Sequence, residues 1–146
     1  MTPYSAPSPD ASGREPAEIQ CQLPRSSRSP QRARALLRHQ LVEWGIGCDV
    51  SLVAELLISE LVTNSLLHAR VPAGREIGVR IARYDGLLRV EVSDANAARP
   101  ELREPTAEDE HGRGLALVQA LALRWGCCPR RNGIGKATWA ELRLPR

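Results

Sequence analysis

The chain has 146 residues, enough for one domain with a real core, and its net charge of +3 comes from 20 basic and 17 acidic residues scattered along its length. Nineteen of the basic residues are Arg, Lys136 is the only Lys, and aromatic residues make up 3% of the chain, so neither a clustered basic face nor a stacking platform points to direct nucleic-acid binding. No apolar run approaches the length of a membrane span and the N-terminus has no apolar signal core, so we expect a cytoplasmic protein without a membrane partner.

Residues 1–17 are rich in Pro, Ser and Ala and read as a disordered tail, leaving one domain over 18–146. From Glu18 to Leu23 the residues Ile19, Cys21 and Leu23 alternate as a short first strand. Ser29-Pro30 opens a helix with Ser29 as the predicted N-cap; Ala33, Leu37, Leu41 and Trp44 give it one apolar face, and Gly45 ends it. A second helix, capped by Asp49 or Ser51, runs to Ala69. Leu52, Val53, Leu56, Leu57, Ile58, Leu61, Val62, Leu66 and Leu67 cover nearly its whole circumference, which predicts a buried helix.

Asp85-Gly86 is a strong hairpin signal, and counting outward sets Ile81 opposite Val90, Val79 opposite Val92 and Arg80 opposite Glu91. The apolar face of the second strand then reads Leu88, Val90, Val92 and finally Asp94, so the strand delivers a carboxylate to the core side at its end. The alternative is that Asp94 merely begins a turn. Residues 95–111 form a long polar connection ending at Gly112-Arg113-Gly114, and Leu115, Val118, Leu121, Ala122 and Trp125 mark one face of a following helix. Glycines at a helix start expose backbone N–H groups that attract phosphate. A final hairpin turns near Asn132-Gly133 into a strand whose Thr138, Ala140, Leu142 and Leu144 alternate with Trp139, Glu141 and Arg143. Cys21, Cys48, Cys127 and Cys128 have no Cys-x-x-Cys spacing and read as reduced thiols in or near the core.

Into the greasy second helix the sequence puts Glu60, Asn64 and His68, four apart and on one face. A buried carboxylate beside a buried amide needs partners. Two readings stand side by side. One is a structural hydrogen-bond network. The other is a ligand with a metal ion, Asn64 giving a carbonyl oxygen suited to magnesium and Glu60 standing one turn away as a base.

The order Glu60 and Asn64 on a helix, Asp94 at a strand end, then Gly112-x-Gly114 resembles the GHKL (Bergerat-fold, histidine-kinase-like) ATPases, and within them the small actinobacterial regulators related to anti-sigma-factor serine/threonine kinases. Ser59-Glu60-Leu61-Val62-Thr63-Asn64-Ser65 with His68-Ala69 looks like their N box. Val90-Glu91-Val92-Ser93-Asp94 looks like the first glycine box, and Gly112-Arg113-Gly114-Leu115 like the second. The resemblance implies an α+β two-layer sandwich, with helices on one face of a mixed, mostly antiparallel sheet. It implies ATP and Mg²⁺ as cofactors: Asn64 as metal ligand, Glu60 as general base, Asp94 accepting from the adenine amino group, and Gly112, Arg113, Gly114, Leu115 and His68 at the nucleotide, with residues 95–111 as lid. A sigma factor and an anti-sigma-factor antagonist are the implied protein partners, and a homodimer remains open.

One departure bears on activity. The family's box runs Asp-x-Gly-x-Gly, whereas this chain has Asp94-Ala95-Asn96-Ala97-Ala98. Asn96 can stand in for the first glycine, but Ala98 is strained wherever φ is positive. The sequence therefore leaves two functions open, a kinase and a non-catalytic binding module of the same fold.

Overall fold

The computed structural model describes residues 15–68, 76–94, 110–129 and 136–145. Strand β1 (Ala17–Leu23), helices α1 (Ser29–Glu43) and α2 (Cys48–His68), strands β2 (Ile77–Tyr84) and β3 (Leu87–Asp94), helix α3 (Glu110–Leu121) and strands β4 (Arg124–Pro129) and β5 (Lys136–Arg143) follow in order. They form one five-stranded sheet, β1-β2-β3-β5-β4, antiparallel at all four pairings. Helix α2 lies against β3 and β5 and is flanked by α1 and α3. The result is the expected α+β architecture of two layers.

The β2–β3 hairpin has the register read from the sequence: Ile81 opposite Val90, Val79 opposite Val92, Arg80 opposite Glu91. Its turn is made by Asp85 and Gly86, with φ of +51° and +72°. Two successive positive φ values match the right-handed twist of the flanking strands, and Asp-Gly adopts them at little cost. Between this sheet face and the helices, Leu57, Ile58, Leu61, Ile77, Ile81, Leu88 and Val90 are fully or almost fully buried. Each such side chain contributes about 1.5–3 kcal/mol by leaving water.

Helix α1 stops as expected at Gly45, whose φ is +70°. The N–H of Ile46 donates to Leu41 O at 2.8 Å and that of Gly45 to Val42 O at 3.0 Å, the paired bonds of a Schellman ending. The start differs from expectation. Arg28 is the N-cap and makes no side-chain cap bond, while Ser29 is already helical. The Ser29 hydroxyl donates instead to Pro24 O, so the serine fastens the incoming loop rather than the helix amides.

Helix α2 also differs. It is not buried all round: Leu52 is 68% exposed, and Leu56 and Leu67 are exposed with it. A helix lying on one face of a sheet with a helix to each side keeps an outer stripe in water, whatever residues occupy that stripe. The stretch Cys48–Leu67 is nonetheless long and apolar enough to cross a membrane, contrary to the sequence reading, but half of it is buried in the fold, as befits a core helix. Trp125, expected on α3, lies on β4 and pairs with Ala140 of β5, because α3 ends at Leu121.

Among the described residues, no helix lies on the other face of the sheet. An ion ladder covers it, running from Glu18 on β1 through Arg80, Glu91, Arg89 and Glu141 to Arg124 on β4. Arg89 and Arg124 donate to Glu141 at 3.0 and 2.6 Å, and the Tyr84 hydroxyl donates to it at 2.8 Å. Burial alone would raise the Glu141 pKa, but these three donors outweigh it and hold the carboxyl below its ordinary range. The Arg89 guanidinium stacks 4.2 Å from the Trp139 ring centre. The same indole leaves no room for a side chain at Gly126, where a Cβ would meet Trp139 Cζ2 at 2.8 Å.

Candidate functional site

Asp94 is the last residue of β3 and lies 3% exposed on the helix-facing side. It therefore continues the row Leu88, Val90, Val92, as the hairpin register requires, and does not merely begin a turn. Its carboxylate accepts from the Ser65 hydroxyl at 2.9 Å. Ser65 follows Asn64 on α2, so this bond fastens the strand end to the helix turn that carries Asn64. The sequence reading passed over Ser65. The signal was a hydroxyl residue in an apolar helix directly after the chemical one.

Asn64 is 7% exposed and its amide makes no hydrogen bond to a described residue. Neither amide atom is among the sealed, unbonded polar atoms of the described residues, so the amide is open to a ligand. Glu60 stands one helical turn earlier, half-buried rather than sunk in the core, and makes no ion pair with a described residue. That leaves its carboxylate accessible for proton transfer. The far end of α2 is held from the β1–α1 loop: Arg25 Nη2 donates to Ser65 O at 3.1 Å and to Leu66 O at 3.4 Å, a cation at the negative end of the helix. On the other flank of α2, Arg34 donates to the Ser59 hydroxyl at 2.6 Å and Arg38 Nε to Glu55 at 2.9 Å, clamping α1 to α2.

The floor beside Asp94 comes from β5 and β4. Lys136 is the direct cross-strand partner of Asp94, Thr138 faces Val92, and Cys127 faces Thr138. Lys136 and Thr138 are buried. Thr138 Oγ1 donates to Cys127 Sγ at 3.9 Å. Burial pushes the Cys127 thiol pKa up; the Thr138 bond and the nearby Lys136 charge oppose the shift, and Asp94 adds to it.

Gly112 and Gly114 were expected just ahead of the third helix. They lie inside it, because α3 begins at Glu110. Glycine extends a helix at a cost of about 1 kcal/mol relative to Ala, so the segment is free to wind through both positions. Gly112 is the third helical residue, within the turn whose N–H groups lack intrahelical acceptors, whereas the Gly114 N–H is already inside the helix. The side chains of His68, Arg113 and Leu115 lie outside the described residues, as do Asn96 and nearly all of the expected lid, 95–109.

Among the described residues, no three His, Cys, Asp or Glu side chains cluster into a metal site. An ion here would rest on Asn64 and on oxygens supplied by a ligand, an octahedral, water-rich arrangement of the kind magnesium takes. The donor set of one amide oxygen fits that demand.

The site thus joins an antiparallel sheet to its core helix, with a buried carboxylate at a strand end and, on the helix, an asparagine that bonds to no described residue. The chain belongs to the histidine kinase-like ATPase domain family, whose profile matches residues 26–144. Among solved structures it is similar to the RsbU and RsbW domains of Rv1364c from Mycobacterium tuberculosis, with a TM-score of 0.67 and 24% identity over 89% of this chain. The chain spans 33% of that structure's length, and at this identity the likeness is one of fold. A comparison with curated proteins gives no match.

Proposed function

We propose that the protein is a Mg-ATP-binding regulator of the anti-sigma-factor type, a serine/threonine protein kinase that phosphorylates an antagonist protein and sequesters a sigma factor in the cytoplasm. The observation that carries the ATP reading is that Asp94, buried at the end of β3, is bonded by Ser65, the neighbour of Asn64, whose own amide bonds to no described residue. One end of this arrangement suits a base amino group and the other a phosphate-bound cation. In this reading Asp94 accepts from the adenine N6 amino group, and Asn64 orients the ion through its amide oxygen. Gly112 leaves a backbone N–H open to phosphate. Bound Mg-ATP supplies the phosphoryl group and the charge neutralisation for its transfer. Glu60 would take the proton from the attacking hydroxyl, a role open to a half-exposed carboxylate and closed to a sealed one. The resemblance noted above, not the fold alone, supports the kinase class and the partners.

The second reading is the same domain acting on a partner by contact, with nucleotide bound or absent and no transfer. Its support is Ala98, which occupies the second glycine position of the first glycine box.

Calorimetric titration of the full chain with ATP and Mg²⁺ is the test, followed by phosphoryl transfer to candidate antagonist proteins. Saturable binding with transfer supports the kinase. Binding without transfer to any partner, and without hydrolysis, assigns the contact-only regulator. No binding removes the kinase and leaves the contact-only regulator.

A further inference from the structure

Lys136 stands apart in this chain. It is the only lysine among 20 basic residues. It is 4% exposed, on the helix-facing side of the sheet, directly across from Asp94. Its ammonium makes no hydrogen bond or ion pair with a described residue. Directly opposed side chains in an antiparallel pair have Cβ atoms about 4.5–5.5 Å apart, so a group bound at Asp94 lies within reach of a lysine. The Lys136 nitrogen is not among the sealed, unbonded polar atoms of the described residues, so it is open to an incoming acceptor. A compact ammonium also suits a single acceptor where the fork of an arginine would bring surplus donors.

The other donors at this end of the pocket are in use. The Ser65 hydroxyl donates to Asp94, and the Thr138 hydroxyl donates to Cys127. The Cys127 thiol is a weak donor. An adenine whose N6 amino group donates to Asp94 presents its neighbouring ring nitrogen, N1, as an acceptor on the same edge. That atom accepts from a donor beside Asp94, and among the described side chains at this end Lys136 is the strong donor not already engaged.

We infer that Lys136 is a second base-reading residue, its ammonium donating to N1 of the adenine whose amino group Asp94 accepts. The inference rests on the adenine-nucleotide reading of the site. Asp94 and Lys136 then form an acceptor–donor pair matched to the donor–acceptor edge of the base, on adjacent strands that hold the two at fixed spacing.

The test pairs a ligand change with a residue change. The ligands are ATP and 1-deaza-ATP, in which N1 is replaced by C–H. The proteins are the full chain and Lys136→Met, compared by calorimetry with Mg²⁺ after thermal melts verify folding. Lys136→Leu gives the same readout if the Met variant melts below assay temperature. A charge-assisted bond of this kind is expected to make wild type prefer ATP by roughly 10- to 100-fold. Lys136→Met should lose about that factor for ATP and bind both ligands alike. If the variant keeps the full preference, Lys136 acts only as a neighbouring charge for Asp94, and the inference is overturned. Equal binding of both ligands by wild type overturns it too, with the ATP reading left standing. If wild type binds neither nucleotide, the ATP reading itself fails and takes this inference with it.

Discussion

Asp94→Asn separates a ligand-recognising carboxylate from a structural one. The side chain is 3% exposed and accepts from Ser65 at 2.9 Å. Asparagine retains one oxygen, so it can keep the Ser65 bond, and its other terminus becomes an NH₂ donor. Folding should hardly notice: a neutral amide relieves the burial of a charge while weakening one bond, a net change within about 1 kcal/mol. Nucleotide binding should notice strongly. A charge-assisted acceptor worth about 1.5–3 kcal/mol is replaced by a donor facing a donor, which corresponds to roughly a 10- to 100-fold rise in Kd. Ser65→Ala supplies the control. It strips Asp94 of an internal partner, so it should cost about 1–3 kcal/mol of stability and raise Kd less than Asp94→Asn. The double variant should fall short of the sum, since both changes act on one bond. Thermal melts and Mg-ATP calorimetry on the four proteins give the whole cycle. An Asp94→Asn protein that binds ATP like its parent, or that loses stability instead of affinity, would refute the assignment.

Three further outcomes are expected. Glu60→Ala should leave Mg-ATP affinity within a few-fold while transfer falls by roughly 10²–10⁴, whereas Asn64→Ala should damage binding and transfer together; calorimetry beside a radiolabel transfer assay distinguishes them from a common loss of melting temperature. The Glu141 carboxyl is held below its usual range by Tyr84, Arg124 and Arg89 against the effect of burial. A depressed folded pKa contributes stability above the unfolded value, and that contribution is lost as pH falls through the folded one. Acid melts below about pH 4.3 should therefore show a steeper decline for wild type than for Glu141→Gln. Gly126→Ala should displace the Trp139 indole, since its Cβ would sit 2.8 Å from Cζ2; a loss of about 1–3 kcal/mol with altered tryptophan fluorescence is expected, and an unchanged spectrum would count against the packing described.

The hairpin was the most legible part of the fold. Asp-Gly fixes a turn, a turn fixes a register, and the register carries Asp94 to the core side. The Gly45 ending of α1 was legible for a similar reason, because a residue with positive φ advertises itself. The exposure of Leu52 and Leu67 was not. Composition around a helix says how greasy it is, but which stripe meets water depends on where its neighbours lie. Ser29 misled because serine serves as well for a loop bond as for a cap. In the site, Glu60, Asn64 and Asp94 could be picked out by charge in apolar surroundings. Ser65, Lys136 and Thr138 could not, since their significance arises from pairings between α2 and β3 and between β3 and β5 that lie 29 to 46 positions apart in the chain.

The ion ladder also discriminates between strand alignments. Sliding a strand by two residues is the smallest error that keeps every apolar side chain facing the helices. In one direction such a slip between β2 and β3 would trade Arg80 opposite Glu91 for Arg80 opposite Arg89. Between β3 and β5 it would replace Arg89 opposite Glu141 by Glu91 opposite Glu141. The opposite slips merely forfeit the pairs, leaving Arg80 across from Ser93 and Arg89 across from Trp139. Apolar residues alone would tolerate either misalignment. Proofreading of the sheet thus falls to the face that carries no core, and it holds β3, with Asp94 at its end, in the one alignment that faces Asp94 with Lys136.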